Sequence, residues 1–232
     1  MKNHMNKNLT ILAIVILMLI PTLSGAQRRV SVLGDSYSTF SGWIKPSWNY
    51  CWYKGADKKP TAQNDVEYVE QTWWHQLLKA TGDTLEINNS FSGSTVCCTG
   101  YRQEDYSDRS FIARALHLGN PDIILVFGGT NDSWAQAPVG EYQYGAWTAQ
   151  SLYAFRPAFA QLMTVLLQYY PNATIYNITN SELSKEVTES MDIICRHYGV
   201  KNILLHDIDK QSGHPSVAGM KAIAEQVKAV MK

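Results

Sequence analysis

Short apolar, β-branched runs alternate with stretches of helical spacing along most of the 232-residue chain. Arg29-Val30-Ser31-Val32-Leu33 is the first run with the character of a buried strand. Residues 66–80 then place Trp73, Trp74, Leu77 and Leu78 on one helical face, with Gly82 positioned to end the helix. Thr84-Leu85-Glu86-Ile87-Asn88 predicts a second strand, and a helix is expected over residues 110–118, stopped by Asn120-Pro121. Asp122-Ile123-Ile124-Leu125-Val126-Phe127 is apolar on both faces, as a central parallel strand is. Further helices are expected over residues 152–169, 184–198 and 217–231, and further strands over 174–178 and 203–206. Strand and helix alternate from end to end. That order predicts an α/β fold, a parallel sheet with helices on both faces. No repeat or low-complexity block divides the chain, so residues 27–232 are expected to form one domain.

Two connections break the alternation. Residues 40–60 carry Phe40, Trp43, Trp48, Tyr50, Trp52 and Tyr53 without a sustained period, punctuated by Gly42, Pro46, Gly55 and Pro60. Long insertions of this kind in a compact domain are commonly functional, and the aromatic content argues for an ordered one. Residues 134–147 form a second aromatic connection.

Composition narrows the class. Hydrophobic content of 45% and charged content of 17% describe a globular protein. The first residues stand apart: Lys2 and Lys7 precede an apolar run over residues 9–20, then Pro21 and the small residues Ser24-Gly25-Ala26. This pattern predicts a secretory signal peptide over residues 1–26, with an uncleaved anchor as the competing reading. No Cys follows the cleavage stretch, unlike a bacterial lipoprotein signal. Removal of these residues leaves 18 basic against 20 acidic side chains, a formal charge of −2. Without a basic surplus, nucleic acid is not an expected partner. Export, periplasmic or beyond the cell, also places Cys51, Cys97, Cys98 and Cys195 in an oxidising compartment. Adjacent Cys97 and Cys98 would strain a mutual bond, so a bridge from Cys51 to one of them is expected, with Cys195 a buried thiol. No C-x-x-C pair exists and the histidines are scattered, so neither a structural zinc site nor a cofactor is expected. Nothing in the pattern specifies an oligomeric state.

The candidate chemistry lies where predicted strands end. Gly34-Asp35-Ser36-Tyr37-Ser38 follows the first strand, Asn89-Ser90-Phe91-Ser92-Gly93-Ser94 the second, and Gly128-Gly129-Thr130-Asn131-Asp132 the third. Ser212-Gly213-His214-Pro215 precedes the last helix. In a parallel sheet the strand C-termini share one edge, so these loops can converge. Singly, each is an ordinary turn of Gly, Asp, Asn and Ser. Together they supply a hydroxyl, a base and two amide donors, the parts that acyl transfer needs.

With those motifs in order, the chain resembles the SGNH hydrolases, the GDSL esterase and lipase superfamily. Gly34-Asp35-Ser36-Tyr37-Ser38 resembles its GDSL block, and Ser92-Gly93 its glycine block. Gly129-Thr130-Asn131-Asp132 resembles its G-x-N-D block, and His214-Pro215 the end of its D-x-x-H block. The G-x-S-x-G elbow of α/β-hydrolases is absent. The resemblance implies a flavodoxin-like α/β/α sandwich with strand order 2-1-3-4-5 and Ser36 as nucleophile. It also implies an oxyanion hole from the Ser36 and Gly93 N–H groups and the Asn131 amide, with His214 as base. The chain departs from the family at the Asp expected three residues before the His, where Gln211 stands. Gln cannot supply a negative charge. The expected arrangement is a Ser–His dyad or a His supported by a backbone carbonyl, as some carbohydrate esterases of this superfamily look. Asp209 is second and Asp207 a further candidate. Asp35 and Asp132 are expected to hold loops, and Arg102, Glu104, Asp105 and Arg109 to form a solvated face. Trp43, Trp52 and Tyr53 are candidate substrate-binding residues, through stacking on sugar rings or lining an acyl pocket. The implied function is hydrolysis of a short-acyl, carbohydrate-borne ester. A lipase or thioesterase acting on longer chains is the enzymatic alternative, and a non-catalytic carbohydrate-binding protein the alternative of another class.

Overall fold

The computed structural model describes residues 27–55 and 64–231. The expected signal peptide lies outside the described residues. Five strands, β1 (Arg29–Gly34), β2 (Thr84–Ser90), β3 (Ile123–Gly128), β4 (Thr174–Thr179) and β5 (Lys201–Leu204), form one sheet in the order β2-β1-β3-β4-β5. Every pairing in it is parallel, with Val32 opposite Leu125 and Leu125 opposite Tyr176 in the centre. The order follows the flavodoxin-like expectation.

Two helical layers cover the sheet because its strands are apolar on both faces. Successive residues of β3 point opposite ways, so Ile123, Leu125 and Phe127 enter one core and Ile124 and Val126 the other. On the first face, α1 (Trp73–Thr81) and α6 (Val217–Val230) lay Trp73, Trp74, Leu77, Met220, Ile223 and Val227 over Val30 and Val32. On the second face lie α2 (Phe111–Arg114), α4 (Phe155–Tyr169) and α5 (Lys185–Tyr198). They bury Phe111, Phe159, Leu162, Met163, Met191 and Ile194 against Leu33, Ile124 and Val126. Full burial of one such side chain stabilises the fold by ~1.5–3 kcal/mol.

Several boundaries differ from expectation for local reasons. Gln71 Oε1 accepts from the N–H groups of Glu67 and Tyr68, which tightens residues 69–71 into a 3-10 turn and delays α1 to Trp73. Helix α2 is a single turn, because Leu118 N–H donates to the Tyr170 hydroxyl rather than back along the helix. The expected third loop contains a short helix, α3 (Thr130–Trp134). The last strand begins and ends two residues early, and His206 N–H leaves the sheet for the Gln226 side chain on α6. Pro215 stands before the final helix. It lies in a two-stranded ribbon, β6 (Lys210–Gln211) with β7 (His214–Pro215), and Ser216 caps α6 through Gly219 N–H.

Candidate active site

Strand β1 delivers Ser36 to the C-terminal edge of the sheet through a tightly packed turn. A Cβ at Gly34 would stand 2.5 Å from Ser90 Oγ and 2.6 Å from Ser38 Cβ, so only glycine lets the turn sit this close to β2. Asp35 then caps a 3-10 turn over Ser36–Ser38, accepting from Tyr37 N–H at 3.0 Å. Phe91 N–H donates to Gly34 O at 3.1 Å and ties the loop after β2 to the same turn.

His214 reaches Ser36 from 178 residues away, its Nε2 lying 2.9 Å from Ser36 Oγ. A hairpin places it there. Gln211 pairs with His214 across β6 and β7, and Ser212 and Gly213 between them have φ of +51° and +74°. Two central residues at positive φ are the signature of the tight I′ hairpin turn, which suits Gly213 and strains Ser212. The turn swings the Ser212 carbonyl under the imidazole, 3.2 Å from Nδ1. A carbonyl only accepts, so Nδ1 carries the proton and Nε2 offers its lone pair to the Ser36 hydroxyl. Tyr37 locks the two turns together by donating to Gly213 O at 2.6 Å.

None of the three candidate side chains upstream of His214 reaches its ring. Gln211 Oε1 accepts from Asp65 N–H at 2.9 Å. Asp209 accepts a short hydrogen bond from the Ser216 hydroxyl at the head of α6, and so braces the helix cap. Asp207 is exposed and pairs with His206. The acceptor at Nδ1 is a backbone carbonyl, the arrangement expected first, and the second expectation, that Asp209 or else Asp207 supports His214, is corrected. Buried away from water, the imidazole is held at a pKa of about 4, the Ser212 hydrogen bond opposing that shift and the charge of Lys210 adding to it.

Gly93 and Asn131 come together beside the Ser36 turn. Asn131 Nδ2 donates to Ser94 O at 2.9 Å, which joins the third loop to the residue after Gly93. An amide nitrogen has two protons, so one remains to donate. Gly93 has φ of +83°, with open space where a Cβ would point. Tyr101 was not singled out in the sequence, yet its hydroxyl donates to Asn131 Oδ1 at 2.7 Å and fixes which end of the amide faces outward. Two strained residues, Arg102 and Gln103 at φ of +57° and +62°, follow it. Arg114 was also missed. Its buried guanidinium donates to Gly34 O, Asn89 O and Ser94 Oγ, bolting the ends of β1 and β2 to the glycine loop.

Asp132 accepts from Val96 N–H at 2.8 Å and Cys97 N–H at 3.1 Å, so both Asp132 and Asp35 hold loops. Burial raises Asp35 to about 7, against the lowering effect of its Tyr37 hydrogen bond and of Arg114, and raises Asp132 to about 6. Arg109 folds over Tyr106 and pairs with Asp108, while Glu104 and Asp105 are exposed.

The aromatic candidates separate into three places. Trp52 lies flat on His214, ring centroids 3.5 Å apart and planes 5° from parallel. Tyr53 is buried beneath, donating to Pro215 O at 2.9 Å. Trp43 packs on Trp74 and His75 at the outer side of α1, away from His214. Trp134, at the end of α3, stands half-exposed with its ring 6.1 Å from that of His214. The expected Cys51 disulfide is not formed. All four cysteines are thiols, with Cys97, Cys98 and Cys195 buried and Cys195 pushed up to about 12 by that burial.

The chain resembles proteins of one kind. The family model of the GDSL-like lipases and acylhydrolases matches residues 28–231. A GDSL-like lipase from Bacteroides uniformis is 64% identical, with a TM-score of 0.85 over 88% of this chain and 95% of its own. One from Bacteroides ovatus is 52% identical, with a TM-score of 0.86 over 88% and 97%. A carbohydrate acetylesterase from Sinorhizobium meliloti shares the fold at 17% identity, with a TM-score of 0.52 over 88% and 100%. Among curated proteins none matches the chain.

Proposed function

Because the chain belongs to the GDSL-like lipase/acylhydrolase family and is an SGNH-type ester hydrolase, we propose that it cleaves esters through an acyl-enzyme on Ser36. The observation that carries this reading is the 2.9 Å contact between Ser36 Oγ and the unprotonated Nε2 of His214. His214 takes the Ser36 proton as Oγ bonds to the ester carbonyl carbon. The carbonyl oxygen becomes an oxyanion, which the Ser36 and Gly93 N–H groups and the free Asn131 amide proton stabilise. His214 then returns the proton to the departing alcohol as the carbon–oxygen bond breaks, leaving acyl-Ser36. Water, deprotonated by His214, attacks that ester and releases the carboxylic acid and Ser36. Asp209 takes no part.

The substrate we favour is a short acyl ester on a carbohydrate. The groups around Ser36 and His214 are polar or aromatic: Ser94, Tyr101 and Asn131 on one side, the half-exposed Trp134 on the other. Indole faces suit sugar rings, and hydroxyl and amide groups suit a small acyl group. The acetylesterase likeness is an analogy of fold alone. Turnover of p-nitrophenyl acetate faster than the octanoate, abolished in Ser36→Ala, is the expected result. Faster octanoate turnover overturns the substrate class in favour of a lipase.

Export belongs to the same proposal. It rests on the pattern of residues 1–26, where Lys2 and Lys7 precede an apolar run that leads to the small residues Ser24-Gly25-Ala26. N-terminal sequencing of protein recovered outside the cytoplasm is expected to start at Gln27. Retention of residues 1–26 would overturn cleavage.

A further inference from the structure

His214 lacks the partner that an imidazolium ordinarily relies on. Its Nδ1 donates to a neutral carbonyl, and neither ring nitrogen meets a carboxylate among the described residues. Among the described residues, the elements packed around the ring bring it no anion. Tyr37 and Tyr53 present phenols held neutral by burial, Trp134 an indole edge, and Lys210 on β6 a like charge. Yet in the acyl-transfer step the ring takes a proton and must hold a positive charge in a water-poor site.

Trp52 lies stacked on one face of the ring, where a cation gains from its neighbour. The two planes lie 5° apart with centroids separated by 3.5 Å, so the whole indole π face covers the imidazole. An indole face is the strongest cation–π partner among the side chains, and its attraction grows where water is excluded. The neutral ring gains only dispersion from the stack, whereas the protonated ring gains the electrostatic attraction as well. That difference exists only once the proton has moved, so it lowers the barrier without tightening the ground state.

The stack is also held in advance. Trp52 N–H donates to Thr39 Oγ1 at 2.9 Å, and Thr39 Oγ1 donates to Ser36 O at 3.0 Å. Ser41 N–H donates to Tyr53 O at 2.9 Å, and the Tyr53 hydroxyl reaches Pro215 O beside the histidine. The segment bearing the indole is thus tied to the nucleophile turn on one side and to the β6–β7 hairpin on the other. A platform preorganised in this way needs no rearrangement when charge develops.

We propose that Trp52 is a positioning residue whose π face stabilises the His214 imidazolium, in the place that a carboxylate holds in a Ser-His-Asp triad. This rests on the reading of Ser36 and His214 as nucleophile and base. Trp52 then belongs to the proton-transfer machinery rather than to a substrate wall, which accounts for a dyad working where Gln211 replaces an acid.

Fluorine withdraws electron density from the indole face while leaving its shape nearly unchanged, so the test is site-specific incorporation of mono- to tetrafluorotryptophan at position 52. The expected result is a stepwise fall in kcat with each fluorine, reaching about 10-fold for the tetrafluoro form, with KM unchanged. Trp52→Phe should keep more activity than Trp52→Leu. A kcat indifferent to fluorination, in protein whose turnover Ser36→Ala still abolishes, overturns the proposal and leaves the nucleophile reading standing. Turnover surviving in Ser36→Ala overturns both.

Discussion

Asn131 can face a bound ester with either its oxygen or its nitrogen, and Tyr101 removes the ambiguity. Its phenol donates to Oδ1, so Nδ2 must point the other way, with one proton on Ser94 O and one left over. Loss of an oxyanion donor costs about 10²–10³-fold in kcat in hydrolases of this chemistry. Tyr101→Phe keeps the donor and removes only what aims it, so a smaller fall of ~10-fold in kcat is expected at unchanged KM. Steady-state kinetics on p-nitrophenyl acetate check this, and a rise in KM alone would contradict the positioning role. Nothing near Tyr101 in the sequence marks it, since its partner lies 30 residues away and their meeting depends on a strained loop. Asn131 and Gly93, in contrast, sit directly after strands whose apolar character is local, and strand ends are where parallel sheets collect ligands.

The β6–β7 hairpin is the element on which the site depends. It turns Ser212 O toward Nδ1, offers Gly213 O to Tyr37, and holds Pro215 O for Tyr53. Besides the Ser36–His214 contact, the Tyr37 hydrogen bond ties the Ser36 turn directly to this hairpin. Its removal in Tyr37→Phe is expected to cost about 1 kcal/mol of folding stability, read from the denaturant midpoint. A larger proportional loss should appear in kcat, because the hairpin carries the base. An unchanged midpoint together with unchanged kcat would contradict the tie. Ser212-Gly213-His214-Pro215 reads locally as a plain loop, and two strands of two residues lie below any periodicity signal. A backbone carbonyl under His214 was expected from the Gln211 departure, but that Ser212 supplies it was illegible for the same reason. The Gln211 side chain is committed to Asp65, 146 residues away.

Across the whole molecule, burial displaces His214, Asp35 and Asp132 in opposing senses within the acid-to-neutral range. His214 falls from its ordinary 6.5 to about 4, so between those values the unfolded chain binds a proton that the folded protein refuses. Stability from this source is present above pH 6.5 and declines as pH falls toward 4, by up to ~3 kcal/mol. Asp35 at about 7 and Asp132 at about 6 act the other way. The folded state takes up their protons first, which stabilises it as pH drops below 7. The two effects offset, so Tm at pH 5 is expected to be no lower than at pH 7. Activity follows the base alone. The acid limb of kcat/KM should lie near pH 4 rather than 6.5. A limb near 6.5 would contradict the buried, carbonyl-supported histidine. The alternation of elements and the site edge were legible at this scale, because both faces of β3 are apolar. Of the thiols, buried Cys195 was legible, whereas the expected bridge from Cys51 to Cys97 or Cys98 is not formed.

In the proposed mechanism, Ser36 is activated by His214 without a carboxylate. The rate at which a fluorophosphonate labels Ser36, mapped by peptide mass spectrometry, measures that activation directly. Labelling is expected to be confined to Ser36 in the folded protein, at a rate within about 3-fold of wild type in Asp209→Asn, whose side chain only braces the cap of α6. No label on Ser36, or a loss approaching ~10⁴-fold in Asp209→Asn, would contradict that mechanism.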